Sequence, residues 1–160
     1  MLSQRFQWLQ RALPLVFASL LGYTPLSWAQ DHPRQGRVII PEEDRFTPFN
    51  LVIHRGDIVK WINRDADDHT VVSNDRFNSA GHKGTNHLLP GTVSTGGRPS
   101  TFRLRFRNAG TFVYFCRFHA HLDDDQQSVA PGPDGGIQDP STGNFGTPME
   151  GTITVLPDSD

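Results

Sequence analysis

The chain has 160 residues, with 15 Lys and Arg against 17 Asp and Glu, a formal net charge of −2, and a single cysteine. That balance excludes a nucleic-acid binder, which shows a basic surplus on one face. The length suits one domain around one core, and no internal repeat divides it.

The first segment reads as an export leader. Arg5 and Arg11 form a positive start, Ala12 to Gly22 is apolar apart from Pro14 and Ser19, and Ser27-Trp28-Ala29 offers small residues where signal peptidase needs them. Cleavage is expected after Ala29, so that residues 1–29 are leader and 30–160 the working domain. The apolar core is about half of the ~20 residues a membrane-spanning helix needs. The expected location is therefore periplasmic or secreted, without stable membrane insertion. The leader carries two of the cations and none of the acids, leaving 13 against 17 and a net charge of −4.

After the leader the apolar pattern mostly has period two, the signature of strands, with Gly, Pro and Asp clusters between segments. Arg37 to Ile40 opens the set and Phe49 to His54 follows. Arg55-Gly56-Asp57 turns the chain into Ile58 to Asn63. His69 to Ser73 comes after a polar loop. Thr101 to Arg107 alternates cleanly, with Phe102, Leu104 and Phe106 on one face and Arg103, Arg105 and Arg107 on the other, wet face. Asn108-Ala109-Gly110 leads into Thr111 to Cys116, and Thr152 to Val155 closes the chain. No segment shows a helical period. The expected fold is an all-β, antiparallel β-sandwich with Greek-key connections. Two Gly- and Pro-rich segments, near 74–100 and 120–148, exceed the ~12–15 residues usual for structureless loops and are read as functional insertions.

Cys116 ends a strand in a chain expected to be exported, where thiols pair, yet it has no cysteine partner. A soft metal held by the thiolate accounts for it, since Cys and Met favour copper and imidazole suits it as well. A type 1 copper centre takes two imidazoles and a thiolate in a near-trigonal plane, plus a weak axial ligand. His69, Cys116, His119 and Met149 supply that set. The second imidazole is His119 or His121, by C-x-x-H or C-x4-H spacing, with the shorter preferred. Gln126, Gln127 and Glu150 are reserve axial donors. His54, His82 and His87 read as solvated rather than as a second site, His32 as part of a loose N-terminus, and Asp123-Asp124-Asp125 as a solvated loop without EF-hand spacing.

Three blocks carry a resemblance. They are Gly56-Asp57-Ile58-Val59-Lys60-Trp61-Ile62-Asn63 with His69-Thr70-Val71-Val72, then Gly110 to His119, then Met149-Glu150-Gly151-Thr152-Ile153-Thr154-Val155. In this order they resemble the cupredoxins, and more narrowly the plastocyanin, amicyanin and pseudoazurin group. The resemblance implies a Greek-key β-sandwich with one copper ion that shuttles single electrons between larger redox proteins and is not an enzyme. The chain departs from the pattern in three places: 29 residues (120–148) separate His119 from Met149, Thr70 stands where Asn is common, and Arg117 follows the cysteine. The alternative expectation is a copper carrier or sensor of the same fold that does not cycle electrons, and a catalytic variant with an open coordination position ranks last.

Overall fold

The computed structural model describes residues 32–132, 135–139, 143–144 and 146–158. The expected leader and its cleavage point lie outside the described residues. Among the described residues no helix is long and apolar enough to cross a membrane.

The described chain is all β. Its strands are β1 (Gln35–Ile40), β2 (Asn50–His54), β3 (Ile58–Asn63), β4 (His69–Ser73), β5 (Asn86–Leu89), β6 (Ser100–Arg105), β7 (Gly110–Phe115), β8 (His121–Leu122), β9 (Ser128–Val129), β10 (Gln138–Asp139), β11 (Gly143–Asn144) and β12 (Glu150–Leu156). A three-stranded sheet has the order β1-β3-β6, and a five-stranded sheet the order β2-β12-β7-β4-β5. All seven expected strands are present, with ends shifted by one or two residues. The pairing differs from a purely antiparallel sandwich, because β1 runs parallel to β3 and β2 parallel to β12. Each parallel pair joins strands separated in sequence, so a hairpin rule does not apply to it.

The two sheets share one core. Val38, Ile40, Val59 and Trp61 come from the smaller sheet, and Ile53, Val71, Phe112, Tyr114, Ile153 and Val155 from the larger. Trp61 crosses between them, its ring centroid 6.2 Å from Phe112 and 5.4 Å from Tyr114. Full burial of such side chains stabilises by roughly 1.5–3 kcal/mol each, so the alternation along β3 and β7 is enough to fix which faces meet. On β6 the same alternation leaves Arg103 and Arg105 exposed while Phe106 just beyond it is fully buried.

The block around β3 is structural at both ends. Gly56 takes φ 93°, a left-handed conformation that disfavours side chains. The Asp57 carboxylate accepts the backbone N–H groups of Arg34 at 2.8 Å and His54 at 3.0 Å, tying β1 and β2 to the start of β3. At the other end the fully buried Asn63 side chain donates to the carbonyls of Asp67 (2.8 Å) and Leu89 (2.9 Å) and accepts the Asp65 N–H (2.9 Å). One amide therefore binds the 64–68 loop to the end of β5.

Both long insertions contain structure. Within 74–100, β5 adds to the edge of the larger sheet beside β4. Gly91 and Thr92 then lean on the 64–68 loop, with Gly91 N–H donating to Asp68 Oδ1 (2.7 Å) and Thr92 N–H to the Asp65 carbonyl (2.8 Å). Within 120–148, β8 pairs with β9 and β10 with β11. The Asp123 carboxylate accepts N–H groups from Asp125 and Gln127, so that acid closes a hairpin turn. Ile137 N–H bonds the Thr147 carbonyl at 2.8 Å, which closes the inner loop that carries β10 and β11.

Candidate metal centre

Three elements deliver the donors. β7 carries the chain to Cys116; the following turn is closed by His119 N–H on the Cys116 carbonyl at 3.1 Å, which brings the C-x-x-H histidine back beside the thiol. β4 begins at His69, which is fully buried, as is Cys116. Cys116 Sγ lies 3.7 Å from His69 Nδ1 and 3.6 Å from His119 Nδ1. These three residues form one group whose donor atoms all lie within 4.8 Å of one another.

The spacing suits a metal. In a trigonal centre with bonds of about 2.0 Å to nitrogen and about 2.3 Å to sulfur, each N···S separation is about 3.7 Å, which both measured separations match. Two imidazoles and one thiolate form the soft, nitrogen- and sulfur-rich donor set that copper prefers. The structure brings together His69, Cys116 and His119 as expected and leaves His121 out, since that residue is exposed on β8.

Met149 returns to the same turn through its backbone. Cys116 N–H donates to the Met149 carbonyl at 2.9 Å, and Met149 N–H donates to the His119 carbonyl at 3.2 Å. Its side chain is fully buried in the core that also contains Cys116. The 29-residue interval therefore does not separate its backbone from the turn that joins Cys116 to His119. Among the reserve donors, Gln126 sits in the β8–β9 turn with φ 65°, and Glu150 is opposite Phe115 in the sheet.

The thiol is prepared for ionisation. Burial opposes a charge on Cys116, but hydrogen bonding from His119 and from the backbone N–H groups of Phe118 and Thr70 outweighs it, placing the thiol below its ordinary range. Thr70 contributes twice. Its N–H points at Sγ from 3.4 Å and its hydroxyl from 3.7 Å, and the same hydroxyl oxygen accepts the Arg117 N–H at 2.9 Å. The Arg117 side chain turns outward to Asn86 Oδ1 at 3.0 Å and lies over the Phe118 ring.

Two carboxylates found here were not anticipated from the sequence. His69 Nε2 lies 3.1 Å from Asp65 Oδ2 and 3.5 Å from Asp44 Oδ1, and His119 Nε2 lies 3.6 Å from that same Asp44 oxygen. Burial raises the Asp44 carboxyl to about 6; His69 opposes that shift, while Asp65 and Asp67 reinforce it. The one available signal was an acid four residues before the buried histidine, within the run Asp65-Ala66-Asp67-Asp68-His69.

His82 and His87 are occupied elsewhere. His82 packs edge-on against Phe106 with centroids 5.0 Å apart, and His87 stacks on Phe102 at 4.0 Å. Among the described residues neither they nor His54 join a group of metal donors.

No protein-family model matches the chain. Among solved structures it is similar to a purple cupredoxin from Nitrosopumilus maritimus, at 21% identity and TM-score 0.46 over 76% of this chain and 99% of that one. It is also similar to an oxidised amicyanin mutant at 20% identity and TM-score 0.47, over 76% and 81% of the two chains. The Cu(I) form of another amicyanin mutant shows 20% identity and TM-score 0.47, over 80% and 88%. At such values the likeness adds no weight to the strand pairing and donor spacing, which define an all-β sandwich with a two-imidazole, one-thiolate centre.

Proposed function

We propose that the protein carries single electrons in the periplasm or outside the cell, using one type 1 copper ion bound by His69, Cys116 and His119, with the Met149 thioether as axial ligand. The observation that carries this reading is the convergence of two imidazole Nδ1 atoms on one buried sulfur at 3.6 and 3.7 Å. Copper, when bound, supplies reversible one-electron chemistry and an intense thiolate charge-transfer band.

The chain's own contribution is to hold the donors still. Cys116 is anchored at the end of a paired strand, its N–H on Met149, and His69 is buried at the head of another strand. A donor set fixed by the sandwich rearranges little when the charge of the centre changes. His119 is the donor nearest solvent, with 19% of its side chain exposed against none for His69. Electrons enter and leave through it. The neighbouring Phe118, 46% exposed, and the half-buried Leu122 offer an apolar surface on which a redox protein docks.

The test is the visible spectrum and voltammetry of the copper-loaded mature chain. The expected result is one copper per chain, strong visible absorption in the oxidised form, a reversible couple, and loss of the band in Cys116→Ser. A fully loaded but colourless protein sinks the type 1 assignment, and tight Cu(I) binding without a reversible couple sinks the electron-carrying role.

A further inference from the structure

The outer nitrogens of both imidazoles face carboxylates. Asp65 reaches His69 Nε2 at 3.1 Å with only 6% of its side chain exposed. Its position is fixed on several sides: its N–H is held by Asn63 Oδ1 at 2.9 Å, its Oδ1 accepts the Asp67 N–H at 3.4 Å, and its carbonyl accepts the Thr92 N–H at 2.8 Å. Asp44 Oδ1 lies between the two rings at 3.5 and 3.6 Å, as a nearby charge and not as a hydrogen-bond acceptor. It sits in the 41–47 segment, which is anchored by Phe46, 3% exposed and edge-on to Tyr114 at 4.7 Å, and by paired backbone bonds between Ile39 and Thr47.

Neither acid pairs with Lys or Arg; among the described residues the two histidines are their only ion-pair partners. Burying two like charges beside each other is unfavourable unless something positive lies close by. A neutral amide would orient the rings equally well, so orientation alone does not account for the charge. A carboxylate on the remote nitrogen of a metal-binding imidazole fixes its tautomer and raises its basicity as a ligand.

We infer that Asp65 is a positioning residue that clamps the outer nitrogen of His69 and keeps its Nδ1 lone pair aimed at Cys116 Sγ, and that Asp65 and Asp44 together favour the more positively charged oxidation state of the bound metal. The metal half of this inference rests on the copper reading above. The tautomer half concerns the protein alone.

Two measurements test it. Long-range nitrogen–proton NMR of the reduced, metal-free mature chain reads the tautomers, and the His69 ring is expected to carry Nε2–H with a bare Nδ1. Competition titrations with Cu(I) and Cu(II) chelators then compare wild type with Asp65→Asn and Asp44→Asn, which keep shape and an acceptor but lose the charge. Each variant is expected to lose about tenfold or more in Cu(II) affinity relative to Cu(I), within the range known for outer partners of metal-bound histidine. By linkage each tenfold loss raises the reduction potential by about 59 mV for one electron. The His69 tautomer survives in the Asn variants, whereas Asp65→Leu loses both tautomer control and charge. An Nδ1–H tautomer of His69 in wild type overturns the clamp whatever the metal does. Equal weakening of both oxidation states overturns the electrostatic half. A wild-type chain with the Nε2–H tautomer of His69 that takes up no copper overturns the metal half together with the copper reading, so the two ideas fail separately.

Discussion

Replacing Thr70 by Val tests the link between fold and thiol. The side chain is fully buried and the two residues have nearly the same shape, so no cavity opens. Two things are lost: the acceptor for the Arg117 N–H at 2.9 Å and the hydroxyl directed at Cys116 Sγ from 3.7 Å. A buried backbone donor left without a partner costs about 1–3 kcal/mol, and because this one is only partly buried we expect about 1–2 kcal/mol. With a urea slope of about 1–3 kcal/mol/M, that lowers the unfolding midpoint by roughly 0.5–1 M. Thiolate stabilisation drops at the same time. The folded thiol is lowered relative to the unfolded chain, so its contribution to stability is fully present above the unfolded thiol pKa and fades as pH falls through the folded one. Thr70→Val raises the folded value and narrows that difference, while the Thr70 N–H at 3.4 Å remains. The assay is urea unfolding of the reduced, metal-free mature chain at neutral and alkaline pH, with an ultraviolet titration of the thiolate. A variant within ~0.5 kcal/mol of wild type, the range of an ordinary surface change, with an unshifted thiolate titration, refutes the reasoning.

Other substitutions separate packing from backbone strain. Phe46→Ala removes the buried anchor of the 41–47 segment and is expected to cost about 3–5 kcal/mol in urea unfolding; copper also passes faster to a competing chelator as Asp44 loses its place. Gly91→Ala puts a Cβ 2.0 Å from the Ala66 carbonyl oxygen and 2.6 Å from the Asp67 carbonyl carbon, so the 64–68 loop must shift. Its melting temperature falls and its visible spectrum changes. At Gly84, where φ is 74° and nothing lies within 4 Å of an added Cβ, alanine costs about 1–2 kcal/mol by strain alone and leaves the spectrum as it was.

The parts of this protein that were readable in the sequence are those written locally. Period two along Thr101 to Arg107 separates the aromatic face from the arginines in the chain as in the sheet, and C-x-x-H places His119 because one turn spans that interval. β5 escaped notice because Asn86-His87-Leu88-Leu89 is short, half polar and set among turn residues. Strands of two residues, β8 to β11, are too short to show a period. The parallel pairings depend on partners far away in the chain, which no local pattern reports. Asp44 and Asp65 were missed for a related reason. Acids in polar loops usually meet water, and these are buried only because Phe46 and Asn63 draw their segments inward through contacts with distant strands.

The pinch at Ile137 and Thr147, with the reciprocal bonds that tie Met149 to Cys116 and His119, separates reach from length. Met149 N–H on the His119 carbonyl closes the backbone at the base of 120–148, while Gln138 N–H on the Glu43 carbonyl and the Asn74 amide on the Gln126 carbonyl moor the segment to the sandwich. Lengthening a flexible connection costs only about 0.6 kcal/mol per doubling, so a lineage could have grown this segment at small thermodynamic expense. The hairpins of 120–148 are thus a cassette hung from a closed ring and moored at Glu43 and Asn74. Away from those moorings and the core contacts of Ala120 and Ile137, its sequence is free to diversify for recognition or shielding while the residues around Cys116 keep their places.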